Sequence, residues 1–196
     1  IGFGLSFFLD PLIVSLLVVA SLTLITGIHH TDGLADFADG LMTKGTREKK
    51  LAAMKDLATG SAGIVAIVLY LVGLIIALSL STGFQLFLAI FLSEIVAKFS
   101  MVLMASLGKS ASVGSNSPFV EFMKNRKKLA VTTIITLIPL IILGGTTGLI
   151  IFAIGTTFTL FLVALSTRSF GGITGDVLGS ANELTRLASL LVFVSI

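Results

Sequence analysis

AGIVAIVLYLVGLIIALSL, residues 62–80, runs its whole length without a charge. A bilayer's hydrocarbon core takes about 20 residues of helix to cross, so this block is long enough to span. A charge-free turn, STG at 81–83, leads straight into a second apolar block at 84–107. The pattern recurs at 129–143 and 147–165, joined by GGT at 144–146. Upstream, Asp10-Pro11 reads as an N-cap and a first-turn proline, opening a helix that runs through Ile28. A sixth block opens at Leu187 and is cut off by the chain end. None of the blocks alternates strictly between apolar and polar residues, which argues against a lipid-facing β-barrel. The expected fold is all-α, a polytopic transmembrane helical bundle forming one integral-membrane domain over residues 1–196.

Composition agrees. The chain is 55% hydrophobic and 12% charged, with a mean hydropathy of +1.10, too little polar surface to clothe a soluble core. Without cysteine it has neither a disulfide framework nor a thiolate metal site. The net charge of +3 does not point to nucleic acid, because the basic residues lie in short loops between apolar blocks. The chain starts at Ile1 with no basic n-region or cleavage site, so residues 1–9 read as the tail of a missing upstream apolar segment.

The connections are of two kinds. The turns at 81–83 and 144–146 carry no charge, whereas those at 29–61, 108–128 and 166–186 are longer and polar. Following the chain up and down places all three polar loops on one side. Every one of the 13 lysines and arginines falls in these loops except Lys98. By the positive-inside rule that side is the cytoplasm. Gly63, Gly73, Gly148 and Gly155 lie within spans, where small residues permit close helix contacts.

The first polar loop opens with HHTDGLADFADG, residues 29–40. Asp32, Asp36 and Asp39 are spaced i, i+4, i+7, so on a helix they share one face, with His29 beside them. A divalent cation is one good reason to gather three carboxylates, and Mg²⁺ is the natural candidate because it takes oxygen ligands and substrate phosphates. The alternative is that the aspartates simply end a membrane helix in water. His29 is either an acid–base or metal group or an ordinary interfacial hydrogen-bonding residue.

Other polar features support a site. Glu94 and Lys98, i and i+4 within a span, should face the interior and pair with each other. They either hold helices in register or leave Lys98 to contact a phosphate. In RSFGGITGDVLGSANELTR, residues 168–186, Gly171, Gly172, Gly175 and Gly179 would let backbone amides approach an anion. Arg168 could hold phosphate through two hydrogen bonds, and on a helix Asp176 and Glu183 would share a face. An ordinary glycine-rich turn remains the alternative. The cluster of Lys124, Arg126, Lys127 and Lys128 is a topology signal facing anionic lipid head groups, and Phe119, Phe122 and Met123 form an interfacial patch beside it. Acidic clusters and glycine-rich loops on one membrane face suit a metal-bound diphosphate, and no Walker-type lysine loop is present. The residues alone thus reach a membrane transferase acting on an activated diphosphate.

Two long motifs carry a resemblance. TGIHHTDGLADFADGLM at 26–42, followed by REKKLAAMKDLATGSAGIVA at 47–66, resembles the signature of the cobalamin synthase (adenosylcobinamide-GDP ribazoletransferase) family. That family shows G-x-H-x-D-G-L-A-D-x-x-D-G and then M-K-D-x-x-x-G-x-x-G. His29 or His30, Asp32, Gly33, Asp36, Asp39 and Gly40 match the first, and Met54, Lys55, Asp56, Gly60 and Gly63 the second. GGITGDVLGSANELTR at 171–186 resembles the family's closing motif, with Ser180 in place of alanine. The chain departs from the pattern at its N-terminus, which in the family is usually about fifty residues longer. It also departs at 93–110, where Lys98 and Lys109 stand in for the arginines of many relatives.

The resemblance implies Mg²⁺-dependent joining of adenosylcobinamide-GDP to α-ribazole or its 5′-phosphate. GMP leaves, and adenosylcobalamin or its 5′-phosphate is the product. In this reading Asp32, Asp36, Asp39, Asp176 and Glu183 hold Mg²⁺, and His29 acts as base or orients the attacking hydroxyl. Lys55, Asp56, Lys98, Arg168, Gly172, Thr174 and Gly175 bind substrate. The partners are these substrates and the bilayer, with no nucleic acid and with a homo-oligomer left open. The rival readings are a CDP-alcohol phosphatidyltransferase-like enzyme, whose D-G-x-x-A-R continuation is missing here, and a metabolite or ion transporter. The transporter is disfavoured because the acids sit at span ends.

Overall fold

The computed structural model describes residues 2–111 and 117–196, so Ile1 and residues 112–116 of the second expected loop lie outside the described residues. The described chain is helical, in the order α1 Gly2–Leu5, α2 Pro11–Thr26, α3 His29–Met42, α4 Arg47–Ala53 and α5 Ser61–Ser79, followed by α6 Gly83–Leu107, α7 Ser117–Met123, α8 Arg126–Phe170 and α9 Gly175–Ser195. The only β-type pairing among the described residues is an isolated bridge between Ser110 and Ile173.

Local chemistry explains the ends. The Asp10 carboxylate accepts from Leu12 N at 2.9 Å with Pro11 behind it, and so starts α2. Helix α2 stops at Thr26, two residues earlier than expected, because Gly27 turns the chain with φ 76°. Helix α3 then leaves at 93° to α2, so the start of the first polar loop is itself a helix. Further along the chain, Gly171 takes the left-handed conformation (φ 73°) that closes α8. Thr174 then caps α9 by accepting from Val177 N at 3.2 Å.

Helices α5, α6, α8 and α9 are long and apolar enough to cross a bilayer, and α2 with α3 qualifies only as a bent pair. A straight helix of the 45 residues in α8 would be about 67 Å long, more than twice the hydrocarbon core. It is not straight. Gly145, at φ 53° and ψ −128°, breaks it. A Cβ on Gly148 would lie 2.0 Å from the Leu140 carbonyl oxygen, although residues eight apart in a straight helix are about 12 Å apart. The chain therefore doubles back into arms 126–144 and 146–170, as the charge-free turn at 144–146 predicts. The outer faces of α5 and α8 expose Val68, Leu69, Ile134, Ile135, Ile138 and Ile142 to the acyl chains.

One expectation fails. Residues 166–186 do not form a polar loop followed by a span at Leu187. Only 171–174 lie outside helices, and the polar segment is the first half of α9. Helix α9 is the central helix, packed on α3, α5, α6 and α8, with Asn182, Glu183, Thr185 and Arg186 all buried. Hydropathy misreads such a helix because its polar groups are partnered by other helices and not by water. Around it, Val14, Val18, Leu74, Leu86 and Leu190 fill one half of the bundle, and Phe37, Met104, Phe170, Ile173 and Val177 fill the other. The span glycines seat neighbours, with Gly73 against Leu187 and Gly155 against Val96. In lipid, packing of this kind largely replaces the hydrophobic effect as the force between helices.

Candidate active site

The aspartates do lie on a helix. Helix α3 runs antiparallel to α9 at very close range. A Cβ on Gly33 would come 2.9 Å from the Asp176 Cα, and one on Gly179 would come 3.2 Å from the His30 Cα. The glycines of both motifs are therefore needed where the two backbones touch. That approach sets Asp32 and Asp36 of α3 beside Asp176 in the first turn of α9.

Asp39 is held differently. Its two oxygens accept from Gly60 N at 2.7 Å and Gly63 N at 2.9 Å, so it caps α5 from a neighbouring helix. A Cβ on Gly60 would meet an Asp39 oxygen at 2.5 Å, and one on Gly63 at 2.6 Å. The glycines of MKDLATGSAG thus exist to admit this carboxylate. Its negative charge also suits the positive end of the α5 dipole.

Asp36 has no such partner among the described residues. It is half-buried and level with the starts of α5 and α9, outside the spans. Burial first, and then the charges of Asp32, Asp176 and Asp39, push its carboxyl up to about 6. Lys55, exposed after α4, is the cation whose charge reaches Asp176. Asp56 is exposed and accepts from Ala58 N at 3.0 Å, which shapes the turn into α5.

The remaining expected residues divide. His29 is exposed beside Asp32. Gly175 is exposed at the N-terminus of α9, where a Cβ would meet nothing within 4 Å. Thr174 donates to Asp176 at 3.3 Å. At Gly172, residues 109–111 fill the space where a Cβ would be. In that place Ile173 N donates to the Lys109 carbonyl at 2.7 Å, which ties the ends of α6 and α8 together. Arg168 is exposed in the last turn of α8.

Glu183 does not join the aspartates. It is buried inside the bundle, hydrogen-bonded to Tyr70 and ion-paired with Arg186. Arg186 also binds both oxygens of Glu94 and donates to the Tyr70 hydroxyl at 2.6 Å. The expected Glu94–Lys98 pair is therefore replaced, because Arg186 offers Glu94 a forked partner inside the core. Lys98 donates instead to Asn182 Oδ1 at 2.9 Å. That bond fixes the Asn182 amide, whose NH₂ then donates to Glu183 at 3.0 Å and lies 3.5 Å from His30 Nδ1. Sequence reasoning missed Tyr70, Asn182 and Arg186. A signal was available in the opposite charges of Glu183 and Arg186, spaced i, i+3.

A divalent cation can be tested against this arrangement. Among the described residues no three acidic or histidine side chains are close enough to hold an ion alone, so a five-carboxylate shell is not formed. Asp39 is committed to α5 and Glu183 to Arg186. Asp32, Asp36 and Asp176 remain as hard oxygen donors without an ion-pair partner among the described residues. Mg²⁺ uses only one or two carboxylates and completes its shell with water and substrate phosphates, so this donor set fits it.

An all-helical, membrane-spanning bundle with an acid row at the membrane face defines the class of the protein. The comparisons then define its family. Residues 1–194 match the model of the cobalamin-5-phosphate synthase family, to which this chain belongs. It is similar to the adenosylcobinamide-GDP ribazoletransferase of Pyrococcus abyssi, with 37% identity covering 91% of this chain and 75% of the relative. The Thermococcus onnurineus protein of that name shows 37% identity over the same shares. The Archaeoglobus fulgidus protein shows 38% over 84% of this chain and 68% of the relative. No solved structure matches.

Proposed function

We propose that this chain joins adenosylcobinamide-GDP to α-ribazole or its 5′-phosphate with the help of Mg²⁺. The ribazole hydroxyl oxygen forms a bond to the phosphorus that carries cobinamide. The anhydride bond breaks, GMP leaves with the bridging oxygen, and the hydroxyl proton is released. The product is adenosylcobalamin or its 5′-phosphate. The observation that carries this reading is the row of Asp32, Asp36 and Asp176, three carboxylates gathered at the meeting of α3 and α9 without an ion-pair partner among the described residues.

Asp32, Asp36 and Asp176, one or two at a time and together with water and substrate phosphate, would hold Mg²⁺, which neutralises diphosphate charge when bound. Asp39 fixes the pitch of α3 against α5 and so keeps Asp36 in the row. Lys55 stands where it can meet a phosphate beside Asp176, and Arg168 and the open Gly175 end of α9 border the same face. His29, exposed one turn before Asp32, is placed to orient the attacking hydroxyl. Lys98, exposed on α6, acts through Asn182 in place of direct contact with phosphate. Phosphoryl transfer asks mainly for such positioning and charge neutralisation. The concentration of lysine and arginine in the loops supports a cytoplasmic site.

The test is a reaction of the purified chain in detergent with adenosylcobinamide-GDP, α-ribazole and Mg²⁺. GMP and cobalamin should appear in equal amounts. Absence of both with folded protein and active controls would overturn the assignment.

A further inference from the structure

The elbow between α7 and α8 has no part in the chemistry above, yet it combines charge and apolar surface in a specific way. Arg126 and Lys127 are exposed in the first turn of α8, and neither side chain has a partner among the described residues. Two nearby cations are already committed. Lys124 pairs with Glu121 at 2.7 Å, and Lys128 donates to the Phe122 carbonyl at 3.0 Å with its ammonium over the Phe122 ring. The free cations therefore lie at the tip of the elbow.

Two open hollows flank that tip. One, of about 400 Å³, runs from Lys127 and Phe122 along Val131 and Thr132. The other, of about 520 Å³, runs from Lys124 and Arg126 along Leu129 and Ala130 to Leu107. In each, a cationic rim gives way to an apolar floor within about one turn of helix. Past Lys128, α8 turns from basic to lipid-exposed aliphatic at Val131, Ile134 and Ile135, which sets the rim at head-group depth. Phe122, 62% exposed, extends the apolar surface at the same level. A free phosphate would use the rim and leave the floor unfilled. A molecule with an anionic head and an acyl chain fits both.

We infer that the α7–α8 elbow is a binding site for anionic phospholipid, with the head group on Arg126 and Lys127 and a chain along the start of α8. The attraction adds to the general pull of an anionic leaflet on basic residues but is localised by the two hollows.

The test uses the purified chain in mixed micelles containing phosphatidylglycerol and phosphatidylcholine, with native mass spectrometry of the lipids retained. Wild-type protein should retain phosphatidylglycerol in preference. Each cation removed should lower that preference about fivefold, so Arg126→Gln/Lys127→Gln should lower it roughly 25-fold. A control pair on α4 and the loop before it, Lys44→Gln/Lys49→Gln, should leave it unchanged. Millimolar inorganic phosphate should not displace the lipid, whereas raised ionic strength should weaken the preference in the wild type, a reading that needs no variant to fold. Equal retention of the two lipids by wild type would overturn the proposal. So would a preference that survives the elbow substitutions in folded protein, that falls equally in the control, or that inorganic phosphate abolishes.

Discussion

Two groups of charges meet α9 within a few turns of each other, and they are built on opposite rules. In the interior, Glu94, Glu183, Arg186 and Tyr70 alternate sign and donor so that each group has a partner. At the membrane face, Asp32, Asp36 and Asp176 have one sign and repel one another. An ion pair inside a membrane protein holds helices in register. An unpaired row of like charges held beside a helix start marks where something positive is to be bound. On the proposed function, the difference separates residues that build the protein from residues that work in it, although Asp176, Glu183 and Arg186 stand in one motif.

The largest effect should come from breaking the interior group. Arg186→Leu leaves Glu183 buried without its guanidinium and takes the forked partner from half-buried Glu94, which should cost about 3–5 kcal/mol of stability, read as loss of folded protein in a detergent melting experiment. The same kind of neutral substitution at the face should behave in reverse. Asp32→Asn should lower turnover by about 10²–10³-fold while the melting temperature holds or rises, measured on the same preparation. A variant that lost stability and activity together would erase the distinction. Between the two lies Asp39, whose acceptors face the α5 backbone. Gly63→Ala pushes a methyl group into that carboxylate and should cost about 1–3 kcal/mol, with activity falling in the surviving protein because α3 shifts.

A pH series sharpens the comparison further. The Asp36 carboxyl stands above its ordinary value, so in cation-free protein its contribution to stability is fully present below the ordinary value of 3.8 and is lost as pH rises through about 6. Asp36→Asn should flatten the pH dependence of melting across that window. The smallest effect belongs to Lys98→Met, which removes one donor from Asn182 and should cost about 1 kcal/mol.

What was legible in the sequence follows the same division. Hydropathy exposes a helix that faces lipid, so α5, α6 and the two arms of α8 could be read within a few residues, along with the turn at 144–146. Helix α9 could not, because its polar half is solvated by protein, and residue-by-residue polarity looks the same for a loop and for a buried network. The aspartate face of α3 was legible from its i, i+4, i+7 spacing. Its division of labour was not. That Asp39 reaches Gly60 and Gly63, more than twenty residues away, follows only from how α5 docks on α3. That Glu183 is neutralised depends on Tyr70 and Arg186 meeting it in the core.

The central claim is that the face row, unlike the interior group, binds a divalent cation. Titration of purified protein with Mn²⁺, followed by electron paramagnetic resonance of the free ion, tests it most directly. The account predicts saturable binding that Mg²⁺ displaces and that Asp36→Asn and Asp176→Asn each weaken about tenfold or more, with Lys98→Met unchanged. Binding that is absent in the wild type, or unaffected by both aspartate substitutions in folded protein, would contradict it.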